Sequence, residues 1–362
     1  MRILKLIEKL QNFRLLPLFV LVSMVIGVGI GNLYGISNFE LTPPIDAIKS
    51  IFRGEYSFTL PNTLALGVVI GLFLMMYPAM TNIRFEDLGK AVRSKRQLFT
   101  VLFFNFAVAP FVMYALANLF FAKGSDFHTA LVLYGLAPCI AMVIVFTFLA
   151  MGNSALAIVL VALNSILQMV LIPLYAHWLL GEVQFDVWVV AESVVLYLGV
   201  PLIAGVMTRR WGVHKYGEQG FRKVKSFLDT LSIVGLLFTL VVMFALKGDL
   251  IVEQPGIILQ LAVPMTLFFW GMFGMVYLVG WKLGFSYEDS VAVAFNSTGR
   301  DFEIAIAIAI TAFNPTVALA TVVGPLIEVP VMLVLVWMAR RTRAQLFAVV
   351  AVPFLESESE GD

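Results

Sequence analysis

Ten stretches of this 362-residue chain stay apolar for roughly 20 residues each, the length a helix needs to cross the hydrocarbon core of a bilayer. They cover about 17–36, 61–81, 97–121, 129–150, 155–180, 187–208, 227–247, 256–281, 289–312 and 316–339. That single feature excludes most architectures. Backbone in lipid must satisfy its own hydrogen bonds, which leaves helices or closed barrels, and runs of this length read as helices. Only 13% of the residues are charged, about half the share found in ordinary soluble domains. The expected fold class is an all-α membrane protein with ten transmembrane helices. Polar stretches such as TNIRFEDLGKAVRSKR, TRRWGVHKYGEQGFRKVKS and KGDLIVEQPG divide the runs, while only MGNS separates the fourth from the fifth.

Basic residues alternate between the two sides. With the N-terminus inside, the inner side holds Arg2, Lys5, Lys9 and Arg14, the cluster from Arg84 to Arg96, the cluster from Arg209 to Lys225, then Lys282, Arg340, Arg341 and Arg343, which makes 19. The outer side holds four: Lys49, Arg53, Lys123 and Lys247. This bias places both termini in the cytoplasm. The start, MRILKLIEKLQNFRLL, has no small-residue cleavage site after a short apolar core, so the first run is expected to be a retained span. The end, ESESEGD, reads as a short acidic cytoplasmic tail within 341–362, and no soluble domain is expected.

Residues 135–172 can be laid on 295–332 without a gap. Identity is low, but a break-prone stretch opens each segment and an Asn-containing turn, at Asn153 and Asn314, divides each. Asn164 then faces Gly324, and Gln168 faces Glu328. Span four thus matches span nine, and span five matches span ten. Five spans per half is an odd number, so the halves, 1–181 and 182–340, are expected to be inverted relative to each other. Interrupted helices in corresponding positions of inverted halves point to a secondary transporter with a midplane site. The strict alternation EIAIAIAIT, Glu303 to Thr311, has the period of a strand. A lone strand cannot satisfy its backbone in lipid, so a helix with a small-residue face is expected there.

The breaks carry the chemistry. Pro138 removes a backbone donor in span four. In span nine, AFNSTGRDF offers Asn296, Ser297, Thr298 and Gly299 for an unwound turn. Irregular backbone at this depth must be buried in protein or line a cavity. Cys139, the chain's one cysteine, follows Pro138. A buried cysteine is usually a small hydrophobe; beside a helix break, its thiol can also act as a soft ligand. One thiol alone suits no divalent metal, which wants four N or S ligands, but it suits a solute that exchanges one hydroxyl for sulfur. Glu328 lies between Pro325 and Pro330 in span ten. A carboxylate there costs several kcal/mol unless paired or wet, and it can carry a proton through a cycle; otherwise it bonds backbone freed by the prolines. Arg300, Asp301 and Glu303 form a charged cluster after the second break. Arg300 and Glu303, three apart, can pair on a helix or meet the solute directly. Asn164 and Gln168 either line the same cavity or glue helices together. His128, His177 and His214 do not converge, and no catalytic, metal, phosphate-loop or nucleic-acid motif is present. Glu192, in span six, has no evident role.

At GLAPCIAMVIVF with VALNSI, and at FEIAIAIAI with VVGPLIEVPVM, the sequence resembles the arsenite efflux permeases of the bile acid/arsenite/riboflavin transporter superfamily. The resemblance implies a five-plus-five inverted fold in which broken helices four and nine cross. It implies export of trivalent arsenite or antimonite, by exchange with protons, with the thiol and the carboxylate of those motifs as the functional pair, here Cys139 and Glu328. Cys139 would then be the metalloid ligand. Neutral trihydroxy arsenic is soft, and one thiol can displace one hydroxyl reversibly. The chain departs from the family pattern at Phe146 and Thr147, where a Trp and a small polar residue are usual, at Asn153, where Asp is usual, and at Arg300 and Asp301.

The first reading is therefore a cell-membrane exporter of a small inorganic metalloid, with no cofactor, coupled to protons. The alternative is a sodium-coupled carrier of an organic anion, with Arg300 facing the anion and side-chain oxygens holding sodium. A sensor or scaffold would want an attached domain, and an enzyme would want a catalytic constellation.

Overall fold

Among the described residues, six helices are long and apolar enough to cross a membrane: 95–120, 154–179, 187–222, 224–245, 256–282 and 315–346. Three shorter apolar ones, 21–34, 66–80 and 302–312, accompany them. The computed structural model describes residues 16–34, 49–81 except 52, 56 and 58, 94–140, 142–181, 183–253 and 256–347. The basic N-terminal segment, the loop holding Arg84, Lys90 and Arg93, and the acidic end from 348 lie outside the described residues. Among the described residues there is no strand, only one isolated bridge between Pro138 and Arg300. The alternating segment is helix, Phe302–Ala312, as its need for internal hydrogen bonds demands.

In chain order the elements are α1 (Leu16–Tyr34), α2 (Leu60–Met80), α3 (Lys95–Leu102), a π-helical turn (Phe103–Val108), α4 (Ala109–Phe120), α5 (Asp126–Leu136), α6 (Met142–Leu149) and α7 (Ser154–Leu179). Then follow α8 (Val187–Val194), a second π turn (Val195–Gly199), α9 (Val200–Glu253), α10 (Gly256–Lys282), α11 (Tyr287–Thr298), α12 (Phe302–Ala312) and α13 (Pro315–Leu346). All six tryptophans are exposed, from 37% at Trp281 to 77% at Trp188. A soluble monomer rarely shows so much apolar surface; a multi-pass membrane protein presents it to lipid, with tryptophans favoured near the interfaces.

The basic stretch between spans six and seven is helical rather than a loop, within the 54 residues of α9. It is not straight. Nine residues of helix span about 13 Å, yet a methyl on Gly212 would strike the ring of Phe221. Arg209 also reaches Glu218 at 2.7 Å. The chain doubles back at Gly217, whose φ of +68° suits glycine. The arms of α9 pack on α1 and α2 through paired small residues. A Cβ at Gly27 would lie 2.6 Å from the Val241 carbonyl oxygen and 2.7 Å from the Phe244 Cβ. Gly31 meets Ala245, and Gly71 meets Thr239, in the same way. Spacings of four between Gly27 and Gly31, and between Gly67 and Gly71, are those that let membrane helices approach closely.

Two interrupted segments, α5 with α6 and α11 with α12, are fastened to each other at both ends. Asn153 caps α7 by accepting from Leu156 N at 3.0 Å, and its amide donates to Asp289 Oδ1 of α11 at 2.8 Å. Asn314 caps α13 by accepting from Thr316 N and Val317 N, and its amide donates to Asp126 Oδ1 of α5 at 2.9 Å. Each turn asparagine thus clasps the first turn of the other broken helix.

Candidate functional site

The two breaks meet as a two-bond antiparallel bridge. Cys139 N donates to Gly299 O at 3.0 Å, and Asp301 N donates to Ala137 O at 2.8 Å. Pro138 ends α5 because it cannot continue the ladder, and the freed groups find partners across the crossing instead. Gly299 is there for space, not for conformation: its φ of −61° and ψ of 141° suit any residue. A Cβ on it would overlap Val143 Cγ1 and lie 3.1 Å from Cys139 Cβ and 3.5 Å from Glu328 Oε1. Cys139 and Glu328, from α5's end and from α13, therefore adjoin the space of one missing methyl group.

One peptide joins them. The Gly299 carbonyl accepts from Cys139 N, and the Arg300 N–H of that peptide donates to Glu328 Oε1 at 3.3 Å. The other carboxylate oxygen accepts from the Tyr134 hydroxyl at 2.5 Å. Tyr134 fits because Gly324, one turn before Glu328, has no side chain: a Cβ there would lie 3.0 Å from the hydroxyl oxygen and overlap the ring. Glu328 and Tyr134 are fully buried, and Cys139 is 3% exposed.

Arg300 does not pair with Glu303. Its guanidinium turns onto neutral groups: Asn105 Oδ1 at 2.8 Å, Ser297 O at 2.5 Å, and Gly135 O and Thr298 O at 3.3 Å each. It also lies over the Phe268 ring, 5.3 Å from its centre. Among the described residues no carboxylate oxygen comes within ion-pair distance of it. The i,i+3 rule presumes a helix, and residues 299–301 are extended or irregular. Asp301 instead caps α12 by accepting from Ile304 N at 3.1 Å, while its Oδ2 has no protein partner. Glu303 follows in the first turn of α12.

The remaining expected residues divide. Thr298 Oγ1 donates back to Ala294 O, within its own helix. Asn296 donates to Ala292 O, and its Oδ1 is unpartnered, as is Ser297 Oγ. Asn164 and Gln168 are fully buried, and neither end of either amide has a protein partner. Four such unpaired atoms on one face of α7 are costly inside protein, and neither amide bonds a neighbouring helix. Glu192 forms an exposed ion pair with Lys49 at 2.8 Å, away from the crossing.

Sequence reasoning missed Asn105 and Tyr134. Asn105 sits in the π turn, donates to Asn296 O at 3.0 Å and accepts from Arg300. A lone asparagine within FFNFAVAP is a polar group at membrane depth, and that was a usable signal. Tyr134 carried none, since one aromatic on an apolar helix is ordinary.

The chain as a whole is similar to known membrane transporters. Residues 69–254 match the model of the Sodium Bile acid symporter family. The chain is 33% identical over 338 residues to the Arsenical-resistance protein Acr3 of Corynebacterium glutamicum, covering 89% of this chain and 87% of that protein. It is 34% identical over 348 residues to the Arsenical-resistance protein Acr3 of Alkaliphilus metalliredigens, covering 91% and 92%. An uncharacterized transporter of Synechocystis is also 34% identical, covering 90% and 88%. Matches along nearly the whole chain, together with a family model that spans half of it, place it among transporters rather than enzymes: the chain belongs to the Sodium Bile acid symporter family.

Proposed function

We propose that this protein exports trivalent arsenite or antimonite from the cytoplasm across the cell membrane, in exchange for protons. The observation that carries the reading is the convergence of Cys139 and Glu328 on the space beside Gly299. One As–OH of trihydroxy arsenic exchanges for As–S at Cys139; the thiol proton leaves with the hydroxyl as water, and the reverse step releases the solute. Glu328, held by Tyr134 and by the Arg300 amide, is the proton carrier. Asn164, Gln168, Asn296 Oδ1 and Ser297 Oγ supply the unpaired polar lining a hydroxylated solute needs. Pro138 opens the crossing, and Thr298, Asp301 and Glu303 shape its second half.

The proposed frame is ten helices in two inverted halves, 1–181 and 182–340, with both termini cytoplasmic. The crosswise clasps support it, since Asn153 with Asp289 and Asn314 with Asp126 play the same part in opposite directions. The sodium-coupled reading draws on the family's name, but Arg300 is already committed to neutral acceptors of the crossing rather than free for an organic anion.

The test is arsenite uptake by everted vesicles, wild type beside Cys139→Ser, under a proton gradient and then a sodium gradient. Accumulation driven by protons and lost in the variant is expected. No arsenite uptake by well-folded wild type would refute the reading.

A further inference from the structure

The bridge at the crossing creates a charge problem that Arg300 solves. In an uninterrupted helix Gly135 O would accept from the amide of residue 139, and Ser297 O from that of residue 301. Both amides are spent elsewhere: Cys139 N goes to Gly299 O, and Asp301 N goes to Ala137 O. The orphaned carbonyls stand at the C-terminal ends of α5 and α11, where partial negative charge collects. Half-helix C-terminal ends of this kind are where broken-helix transporters bind sodium. Here the Arg300 guanidinium takes both carbonyls, with Thr298 O beside them and Asn105 Oδ1 completing the set. Beyond the Phe268 ring its hydrogen-bond acceptors are all neutral oxygens, the kind of ligand a bound monovalent cation takes.

We infer that Arg300 is a tethered cation, occupying the place at the helix crossing that a free sodium ion would otherwise need, so that this chain works without sodium there. The inference rests on the transporter reading but not on the identity of the solute.

Purified full-length protein in detergent tests it by thermal unfolding, in choline chloride with sodium chloride, guanidinium chloride or urea added to about 20 mM. Wild type should melt at one temperature in sodium and in choline. Arg300→Ala should melt lower and regain about 3 °C or more in guanidinium or sodium, but not in urea, which has the shape without the charge. A variant that ignores both ions, or a wild type that sodium stabilises as much as it does the variant, would overturn the inference. If Arg300→Ala does not yield folded protein, Arg300→Lys and Arg300→Gln carry the test. The lysine keeps the charge and should stay indifferent to ions; the glutamine should respond, and equal responses would overturn the idea. These readouts need no substrate: absent arsenite flux with the expected ion responses would sink only the proposed solute.

Discussion

Replacing Gly299 by alanine tests the crossing at its tightest point. The backbone at Gly299 is in an ordinary extended conformation, so alanine costs nothing in φ or ψ. The whole penalty is steric. The new methyl overlaps Val143 Cγ1, presses on Cys139 Cβ at 3.1 Å and touches Glu328 Oε1 at 3.5 Å. Val143 is fully buried and cannot swing aside freely. Overpacking of this kind costs about 1–3 kcal/mol, a fall of roughly 1–4 °C in melting temperature for a chain of this length. Arsenite flux in everted vesicles should fall by more than about tenfold, because a shift of even an ångström between reacting groups is felt that strongly. Trimming the obstacle should help: Gly299→Ala with Val143→Ala should be more stable than the two single effects added, by about 0.5–3 kcal/mol. Flux should recover less than stability, since the Cys139 contact stays tight. A single variant with wild-type melting and flux would refute the reasoning, and so would strictly additive stabilities.

Tyr134→Phe should remove the donor to the buried Glu328 Oε2 and cost about 1–3 kcal/mol, read as a lower melting temperature; Glu328→Gln should instead keep the fold while its flux stops responding to an imposed proton gradient. Asn153→Ala should lose a cap and a clasp together, about 1–2 kcal/mol, whereas Asn153→Ser keeps a cap acceptor and loses the reach to Asp289, so its fall in melting temperature from wild type reports the clasp. Asn164→Leu should raise the melting temperature while lowering arsenite flux, because the amide is buried without a protein partner; a loss of both would point to glue rather than lining.

Much of the framework was legible because bilayer thickness and backbone satisfaction leave few choices. The breaks at Pro138 and Gly299 were readable for the same reason, and Asn153 and Asn314 were readable as turns. Their partners were not: Asp289 and Asp126 lie 136 and 188 residues away in sequence, beyond any local rule. Of the two readings of Arg300, the pair with Glu303 fails because helical spacing does not hold across 299–301, which is not helix. The stretch from Arg209 to Lys225 was read as a loop because charge marks solvent; solvated residues can still be helical, and one glycine suffices to turn the chain.

The Gly299–Arg300 peptide has a consequence of its own. A peptide group is a rigid plane about six atoms wide. Here its oxygen is held by one broken helix and its hydrogen by the carboxylate of α13. Such a plank cannot tilt toward one neighbour without moving against the other. In the proposed exchange, a change of proton on Glu328 and a change in how the helices cross would then be not two events linked by a relay but one displacement seen from two sides. For the exchange proposed above, such a link leaves little room for slippage: an empty turnover or a leak of the driving ion would have to move one side of the plank without the other.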